Sequence, residues 1–258
     1  MNKFNKKLIN EIVEIAQGVK KNKKLFLNIN NHLGCVRYID DCRFITRNIE
    51  KDAKILDLGC GVGHMSYILA KQGYDVTASE IFEDKPIYID IYNESNRSKI
   101  PYLPANILEE NHKLIGMKFD AVVICGVLEH VPDMSLFLQK IFHILKPGGK
   151  LFIQQFPNKY SLFEKINDYR KKSSHDIRLS KYELSLMVAF STYKLHKIGY
   201  HQFLPYALNG FPKIVRAFYY GIEPLVRLVD KFLYKFPIIN MFSTSIQLVC
   251  SKSTSCKS

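Results

Sequence analysis

The chain has 258 residues, 47% of them hydrophobic, 12% aromatic and 24% charged, and its 37 Lys and Arg against 24 Asp and Glu give a formal charge of +13. That is enough apolar material for a sizeable core, which excludes an acidic disordered chain, and the absence of any run of about 18 apolar residues argues against a membrane span. The basic excess directs attention to an anionic partner, either nucleic acid or a lipid surface. The six cysteines form no C-x-x-C pair, which excludes a zinc ribbon or a thioredoxin-like motif and suits the reduced thiols of a cytoplasmic protein. Residues 1–24 are basic but carry no apolar h-region, so no secretory signal is expected.

Helical spacing first occurs over Phe4–Ala16, with Phe4, Leu8, Ile12 and Ile15 on one stripe. It recurs over Leu33–Ile49, where Val36, Ile39, Phe44 and Ile45 form the apolar face. The texture then changes to short apolar runs separated by helical stretches, the pattern of a parallel α/β sheet. Strands are predicted at Lys54–Leu58, Asp75–Ser79, Tyr102–Asn106, Ala121–Cys125 and Leu151–Phe156, with helices at His64–Gln72 and Met134–Leu145. Lys146-Pro147-Gly148-Gly149 ends the second helix and turns the chain. Ser180-x-x-Glu183 is a capping box that opens a helix to about Leu195. A sixth strand over His201–Ala207 and a last one over Ser245–Ser251 bracket a helical insertion at about 208–242, interrupted at Glu223-Pro224. Residues 251–258 read as a tail.

The charge divides unevenly over three parts. Residues 1–52, read as N-terminal helices forming a lid, carry 11 basic and 6 acidic side chains (+5). The parallel-sheet core at 53–158 carries 10 and 12 (−2), and the continuation at 159–258 carries 16 and 6 (+10). The basic excess lies outside the core.

The strongest chemical signal is Ile55-Leu56-Asp57-Leu58-Gly59-Cys60-Gly61-Val62-Gly63. An apolar strand runs into a glycine-rich turn and then a helix, so a ligand can touch bare backbone and the free N–H groups of a helix start. A dinucleotide fold needs G-x-G-x-x-G, but His64 follows Gly63 here. Asp57, two residues ahead of the first glycine, would repel a pyrophosphate and would tolerate a cofactor with a cationic head.

The segment resembles the first motif of the class I S-adenosylmethionine-dependent methyltransferases. Further segments match in order: Glu80 at the end of the second strand, Pro104-Ala105-Asn106-Ile107 at the end of the third, Phe119 to Val131, and Leu145 to Leu151. His32-Leu33-x-x-x-Arg37-Tyr38, Pro157-Asn158, His175, Ser180-x-x-Glu183-Leu184 and Ile198-Gly199-Tyr200 resemble the type 11/12 small-molecule methyltransferases, so the likeness runs from about Asn31 to Tyr206. It implies a doubly wound, seven-stranded Rossmann-like sheet, mostly parallel with an antiparallel last strand. It implies S-adenosylmethionine as cofactor and S-adenosylhomocysteine as product. Asp57, Gly59, Gly61, Gly63, Glu80, Asn106, Ile107 and Cys125 would line that cofactor's site, Glu80 facing the ribose hydroxyls and Asn106 the adenine end. Arg37 would meet the methionine carboxylate, or else pair with a carboxylate of the protein.

His130 and His175 are the candidate catalytic residues, because a histidine takes a proton from a hydroxyl near neutral pH. Glu129-His130 either caps the helix after the fourth strand or takes part in the chemistry. In the quinone-biosynthesis O-methyltransferases, which this stretch resembles, an E-x-x-E-H pattern is associated with a metal; here Gly126 stands at its first position, and no metal is expected. Cys125 lacks the preceding proline of a cytosine-methylating cysteine and reads as a small residue beside the cofactor. His175 falls in a basic loop, as a substrate-side base or a solvated side chain.

The expected reaction is methyl transfer to a small molecule, to an oxygen of a lipid-linked, glycan or quinone-like acceptor. An RNA methyltransferase using the basic C-terminal third and a non-catalytic binding protein are the alternatives. The insertion carries Ile214, Val215, Phe218, Tyr219, Leu225, Leu228 and Phe232 among Lys213, Arg216, Arg227, Lys231 and Lys235. It is either core cover, a dimer face, or a surface lying on an anionic membrane, which would make the protein peripheral at the inner face of a membrane.

Overall fold

The computed structural model describes residues 7–15, 32–170, 175, 177–206, 208 and 211–253. The ends of the predicted first helix, Phe4–Lys6 and Ala16, and residues 254–258 of the predicted tail lie outside the described residues. One sheet of seven strands organises the rest: β1 (Lys54–Leu58), β2 (Asp75–Glu80), β3 (Tyr102–Pro104), β4 (Phe119–Cys125), β5 (Leu145–Pro157), β6 (Tyr193–His201) and β7 (Ser245–Lys252), in the order β3-β2-β1-β4-β5-β7-β6. β1 to β5 pair in parallel, and β7 runs antiparallel to both β5 and β6. The expected architecture is present, down to the antiparallel last strand.

The strands are apolar at nearly every position because both faces are covered. On one face Ile55, Val76, Ala78, Ala121, Val123 and Phe152 pack under α1 (7–15), α2 (His32–Thr46), α3 (His64–Lys71) and α4 (Ile87–Ser95). On the other, Leu56, Leu58, Val122, Ile124, Leu151 and Ile153 pack under α5 (Met134–Ile144) and α7 (Lys181–Phe190). Strand order reverses between β1 and β4, and ligands of such sheets sit in the crevice outside the carboxyl ends at that reversal.

Two helices lie where no element is predicted. α4 has the composition of a strand, with Ile87, Ile89 and Ile91 alternating with polar and aromatic residues; burial of Tyr88, Ile89 and Tyr92 against α3 decides its conformation. α6 (Leu162–Tyr169) is opened by Ser161, whose hydroxyl accepts from the Glu164 N–H at 3.2 Å. The capping box at Ser180 and Glu183 forms as expected, with both reciprocal bonds present.

The sixth strand is a correction. It spans Tyr193–His201, not His201–Ala207, and the helix before it ends at Phe190 rather than near Leu195. Thr192, at φ 66°, reverses the chain within two residues of the helix end. β6 is an edge strand with a bulge between Leu195 and Lys197, so its alternation is broken and its exposed face carries lysines.

The insertion before β7 forms α8 (Lys213–Gly221), α9 (Glu223–Leu233) and the short α10 (Pro237–Asn240). It is moored from its inner side. The Asp230 carboxylate accepts from the N–H groups of Phe203 and Leu204 at 2.9 and 2.7 Å, and Glu223 meets His32 at 2.6 Å. Tyr219 and Tyr234 donate to the carbonyls of Pro205 and Tyr200.

Candidate active site

Two adjoining cavities open at the carboxyl ends of the central strands. The first, about 550 Å³, is walled by the turn after β1, the end of β2, the residues after β3 and the end of β4. The second, about 310 Å³, lies towards α2, α6 and the β6–β7 side. Tyr38, Cys125, Gly126 and His130 line both.

The glycine turn is built by backbone geometry that side chains rarely adopt. Gly59, Gly61 and Gly63 have φ of 74°, 54° and 91°. A Cβ at Gly59 would sit 2.5 Å from Val127 Cγ2, and one at Gly63 2.9 Å from Ile89 Cγ1. At Gly61 it would meet nothing within 4 Å, which leaves bare backbone beside the cavity.

Asp57 is buried, and its Oδ2 accepts from both the N–H and the hydroxyl of Ser66, at 2.9 and 2.5 Å. Gly63 at the start of α3 has no side chain to cap the helix, so Asp57 supplies the missing acceptor and fixes the helix N-terminus behind the turn. Burial pushes its carboxyl up to about 6 against the opposing pull of the Ser66 bonds. At the end of β2, Glu80 Oε2 accepts from Gly61 N–H and Oε1 from Ile81 N–H, each at 2.9 Å. A carboxylate has about four lone-pair sites, so acceptor capacity for two ligand hydroxyls remains.

The second cavity is polar. His175 Nδ1 stands 3.3 Å from Glu164 Oε2, and Arg178 also reaches Glu164, at 3.5 Å, while holding Asp168 at 2.6 Å. The hydrogen bond to Glu164 raises the His175 pKa. Glu129 is 5% exposed, its Oε2 has no protein partner, and burial pushes its carboxyl up to about 7. The rings of His130 and His175 are 5.8 Å apart. Across the cavity, Gln155 donates to buried Asp41 at 2.5 Å, and Asp41 faces His201 at 3.3 Å. Gln155 and Gln202 both line this cavity at positive φ, 60° and 59°, strained positions of the kind that gather at functional sites.

A family model described as a methyltransferase domain matches residues 35–189. The ubiquinone biosynthesis O-methyltransferase of Rickettsia prowazekii is 32% identical over 186 residues, covering 68% of this chain and 72% of the relative. Among solved structures, a putative methyltransferase from Bacillus halodurans has a TM-score of 0.57 at 14% identity, covering 85% of this chain and all of that one. The 1,6-didemethyltoxoflavin-N1-methyltransferase of Burkholderia thailandensis, solved with S-adenosylhomocysteine, has a TM-score of 0.54 at 13% identity, covering 95% and 87%. These two show a shared fold. The chain belongs to the S-adenosylmethionine-dependent methyltransferase family.

Asp57, Gly59, Gly61, Glu80, Asn106, Ile107 and Cys125 of this methyltransferase all line the first cavity, with Gly63 behind the turn. Asn106 is also occupied locally: its Oδ1 accepts from Leu108 N–H at 3.1 Å and its amide donates to Glu109 at 3.3 Å, an Asx turn. Cys125 is half-buried between the two cavities, and desolvation holds its thiol well above the usual range. Arg37 lines the second cavity, over the Tyr38 ring at 4.9 Å and close to buried Asp41. His130 and His175 come together, as two candidates read from distant segments.

Glu129, His130 and His175 bring one ligand atom each within 4.8 Å of one another. That set could share a divalent cation despite Gly126, although it holds one carboxylate where hard cations take several oxygens. Sequence reasoning missed Glu164, Asp41, Gln155, Gln202 and Tyr206. For Glu164 a signal existed: Ser161-x-x-Glu164 is the same S-x-x-E pattern that identified α7.

Proposed function

We propose that this methyltransferase binds S-adenosylmethionine in the larger cavity and transfers its methyl group to a hydroxyl oxygen of a small molecule held in the smaller one. The observation that carries this is the pair of adjoining cavities with a common wall of Tyr38, Cys125, Gly126 and His130. Two reactants that must meet in line need such a shared wall. The donor chemistry is that of a sulfonium, which supplies an electrophilic methyl group. The cradle suits that cofactor, because the Gly61 backbone is open, Glu80 has acceptor capacity left for ribose, and His64 stands where a dinucleotide-binding turn has its third glycine. The ubiquinone O-methyltransferase relatives support an oxygen as the acceptor atom.

Within the smaller cavity His175 is the base. Its Nδ1 faces Glu164, and in the tautomer with Nδ1–H donating to that carboxylate Nε2 is the basic nitrogen, the one that takes the acceptor's hydroxyl proton. The acceptor's hydroxyl proton would reside on Nε2, and the imidazolium would be held by Glu164. Arg37 and Tyr38 position the acceptor. Titration calorimetry with S-adenosylhomocysteine tests the cofactor assignment: micromolar binding is expected, and no heat at millimolar ligand would overturn it. Chelation with EDTA is expected to leave turnover within twofold; a rate lost on chelation and restored by a divalent cation would assign Glu129, His130 and His175 to a metal instead.

The acceptor is met at an anionic membrane surface. No helix among the described residues is long and apolar enough to cross a membrane. α8 buries none of its residues, and α9 buries only Val226 and Asp230. Beside an inner face of Tyr219, Tyr220 and Val226 packed towards Leu33 and Tyr206, they carry an outward apolar one: Ile214 is 81% exposed, Phe218 70% and Leu228 65%, followed by Ile238 at 78% in α10. The acids Glu223 and Asp230 are turned inwards onto His32 and the backbone at 203–204. The exposed Lys213, Lys231 and Lys235 remain for lipid head groups. An outward aliphatic face favours a bilayer over RNA, which asks for phosphate contacts and stacking platforms. Co-sedimentation with phosphatidylglycerol vesicles at low salt is expected, and the double variant Ile214→Asp, Phe218→Asp should reduce it more than tenfold, since each side chain contributes roughly 1.5–3 kcal/mol on burial. Equal sedimentation of both proteins would sink this reading.

A further inference from the structure

We propose that the acceptor is a hydroxyl-rich, saccharide-like head group rather than an aromatic diol, and that Glu129 and Arg37 select it by pairing with neighbouring hydroxyls. This deepens the reading of the smaller cavity as the acceptor site and rests on it.

Ordinary ligand cavities are mainly apolar, with a few placed polar groups. This one is inverted. Glu129, Glu164, Gln155, Asn167, Gln202 and Thr244 line it with Arg37 and the two histidines, and its rings are Phe163, the two tyrosines Tyr38 and Tyr206, and the prolines Pro157 and Pro205. Most of these groups have partners inside the protein. Two buried atoms do not: Glu129 Oε2, an acceptor, and Arg37 Nε, a donor. A buried polar atom left unpaired costs free energy, so a ligand that completes both gains over one that completes neither.

The two orphans together restrict the ligand class. A carboxylate or phosphate would satisfy Arg37 but would stand between Glu129 and Glu164. An ammonium group would satisfy Glu129 and would be repelled by Arg37. A hydroxyl both donates and accepts, and adjacent hydroxyls can serve Glu129 with one O–H and Arg37 with one oxygen. An aromatic diol offers two hydroxyls and a flat apolar ring, and that ring would face the carboxamide of Asn167 and the carboxylate of Glu164. Sites built to hydrogen-bond a hydroxyl discriminate strongly against ligands that lack it. The cavity of about 310 Å³ is at the lower end for small-molecule sites, enough for a single sugar ring.

The test is ligand-observed saturation-transfer NMR on the full chain loaded with S-adenosylhomocysteine, using methyl α-D-mannopyranoside and methyl α-D-glucopyranoside against 3,4-dihydroxybenzoate. Saturation transfer to a glycoside and not to the diol is expected. Glu129→Gln should weaken glycoside binding at least tenfold while S-adenosylhomocysteine affinity stays within twofold, because Glu129 does not line the cofactor cavity. Transfer to the diol alone, transfer to neither probe, or an unchanged Glu129→Gln variant would each overturn the assignment. If Glu129→Gln does not fold, Arg37→Gln carries the same comparison. Failure of S-adenosylhomocysteine to bind at all would instead strike the cofactor reading on which the proposal rests.

Discussion

Gly59→Ala is expected to raise the dissociation constant for S-adenosylhomocysteine at least a hundredfold and to lower the melting temperature as well. The new Cβ would lie 2.5 Å from Val127 Cγ2 and 3.1 Å from Cγ1, at a backbone φ of 74°. An L-residue at such a φ costs roughly 1–2 kcal/mol, and overpacking adds roughly 1–3. With roughly 2–4 °C lost per kcal/mol in a chain of this size, the fall is about 4–20 °C. Val127 belongs to the turn after β4, so relief of the clash moves two walls of the larger cavity apart. Gly61→Ala separates stability from binding. Its Cβ meets no protein atom within 4 Å and φ is 54°, so only the backbone cost applies and the melting temperature should fall by about 2–8 °C. The methyl group would nonetheless stand beside the cavity, and affinity should fall about tenfold, the equivalent of about 1.4 kcal/mol. Wild-type affinity in both variants would mean that this turn is not the cofactor's cradle.

The site was legible in the sequence to the extent that its chemistry is local. A strand, three glycines at alternate positions and a helix start lie within Ile55 to His64, so their spacing alone describes the turn. Glu80 was legible because a parallel strand brings its end beside the first, as the register Leu58 to Ser79 shows. Asp57 was found for a different reason from the one the structure gives. Its carboxylate holds Ser66, nine positions on, and so keeps the turn in shape.

The smaller cavity was hardly legible, because it is assembled from distant segments. Asp41, Gln155 and His201 come from α2, β5 and β6 and meet only once the sheet is formed. β6 itself was misplaced: as an edge strand it has one neighbour and keeps Lys194 and Lys197 in water, which erases the period-2 signal. The insertion was read as amphipathic, but a sequence cannot say which way such a stripe faces. Here the inner side is held by Asp230, Glu223, Tyr219 and Tyr234, polar groups at positions that a core helix would give to leucine.

His175→Ala should lower kcat about 10²–10⁴-fold, the range of a positioned general base, and leave S-adenosylhomocysteine affinity within twofold, since His175 does not line the larger cavity. The pH profile distinguishes a base from a structural histidine. Glu164 hydrogen-bonds His175, and with Glu129 it favours the imidazolium; Arg178 opposes them. The His175 pKa is therefore above its ordinary value of about 6.5, and the neutral, proton-accepting form is reached only at higher pH. The acid limb of kcat/KM should lie above about 6.5, with rate rising as pH rises through the raised pKa. Stability runs the opposite way: the His175–Glu164 pair contributes fully below the unfolded pKa and is lost as pH rises through the folded one. Glu164→Gln removes the carboxylate that favours the charged form, so it should shift the acid limb towards lower pH while lowering the plateau rate, because the imidazolium formed in the transition state loses its partner. Glu129→Gln should shift the limb in the same direction and by less, since Glu129 is linked to His175 through charge alone, whereas Glu164 adds a hydrogen bond. A limb that stays in place in Glu164→Gln would assign the ionisation to another group, and a His175→Ala enzyme with unaltered kcat would remove this histidine from the chemistry.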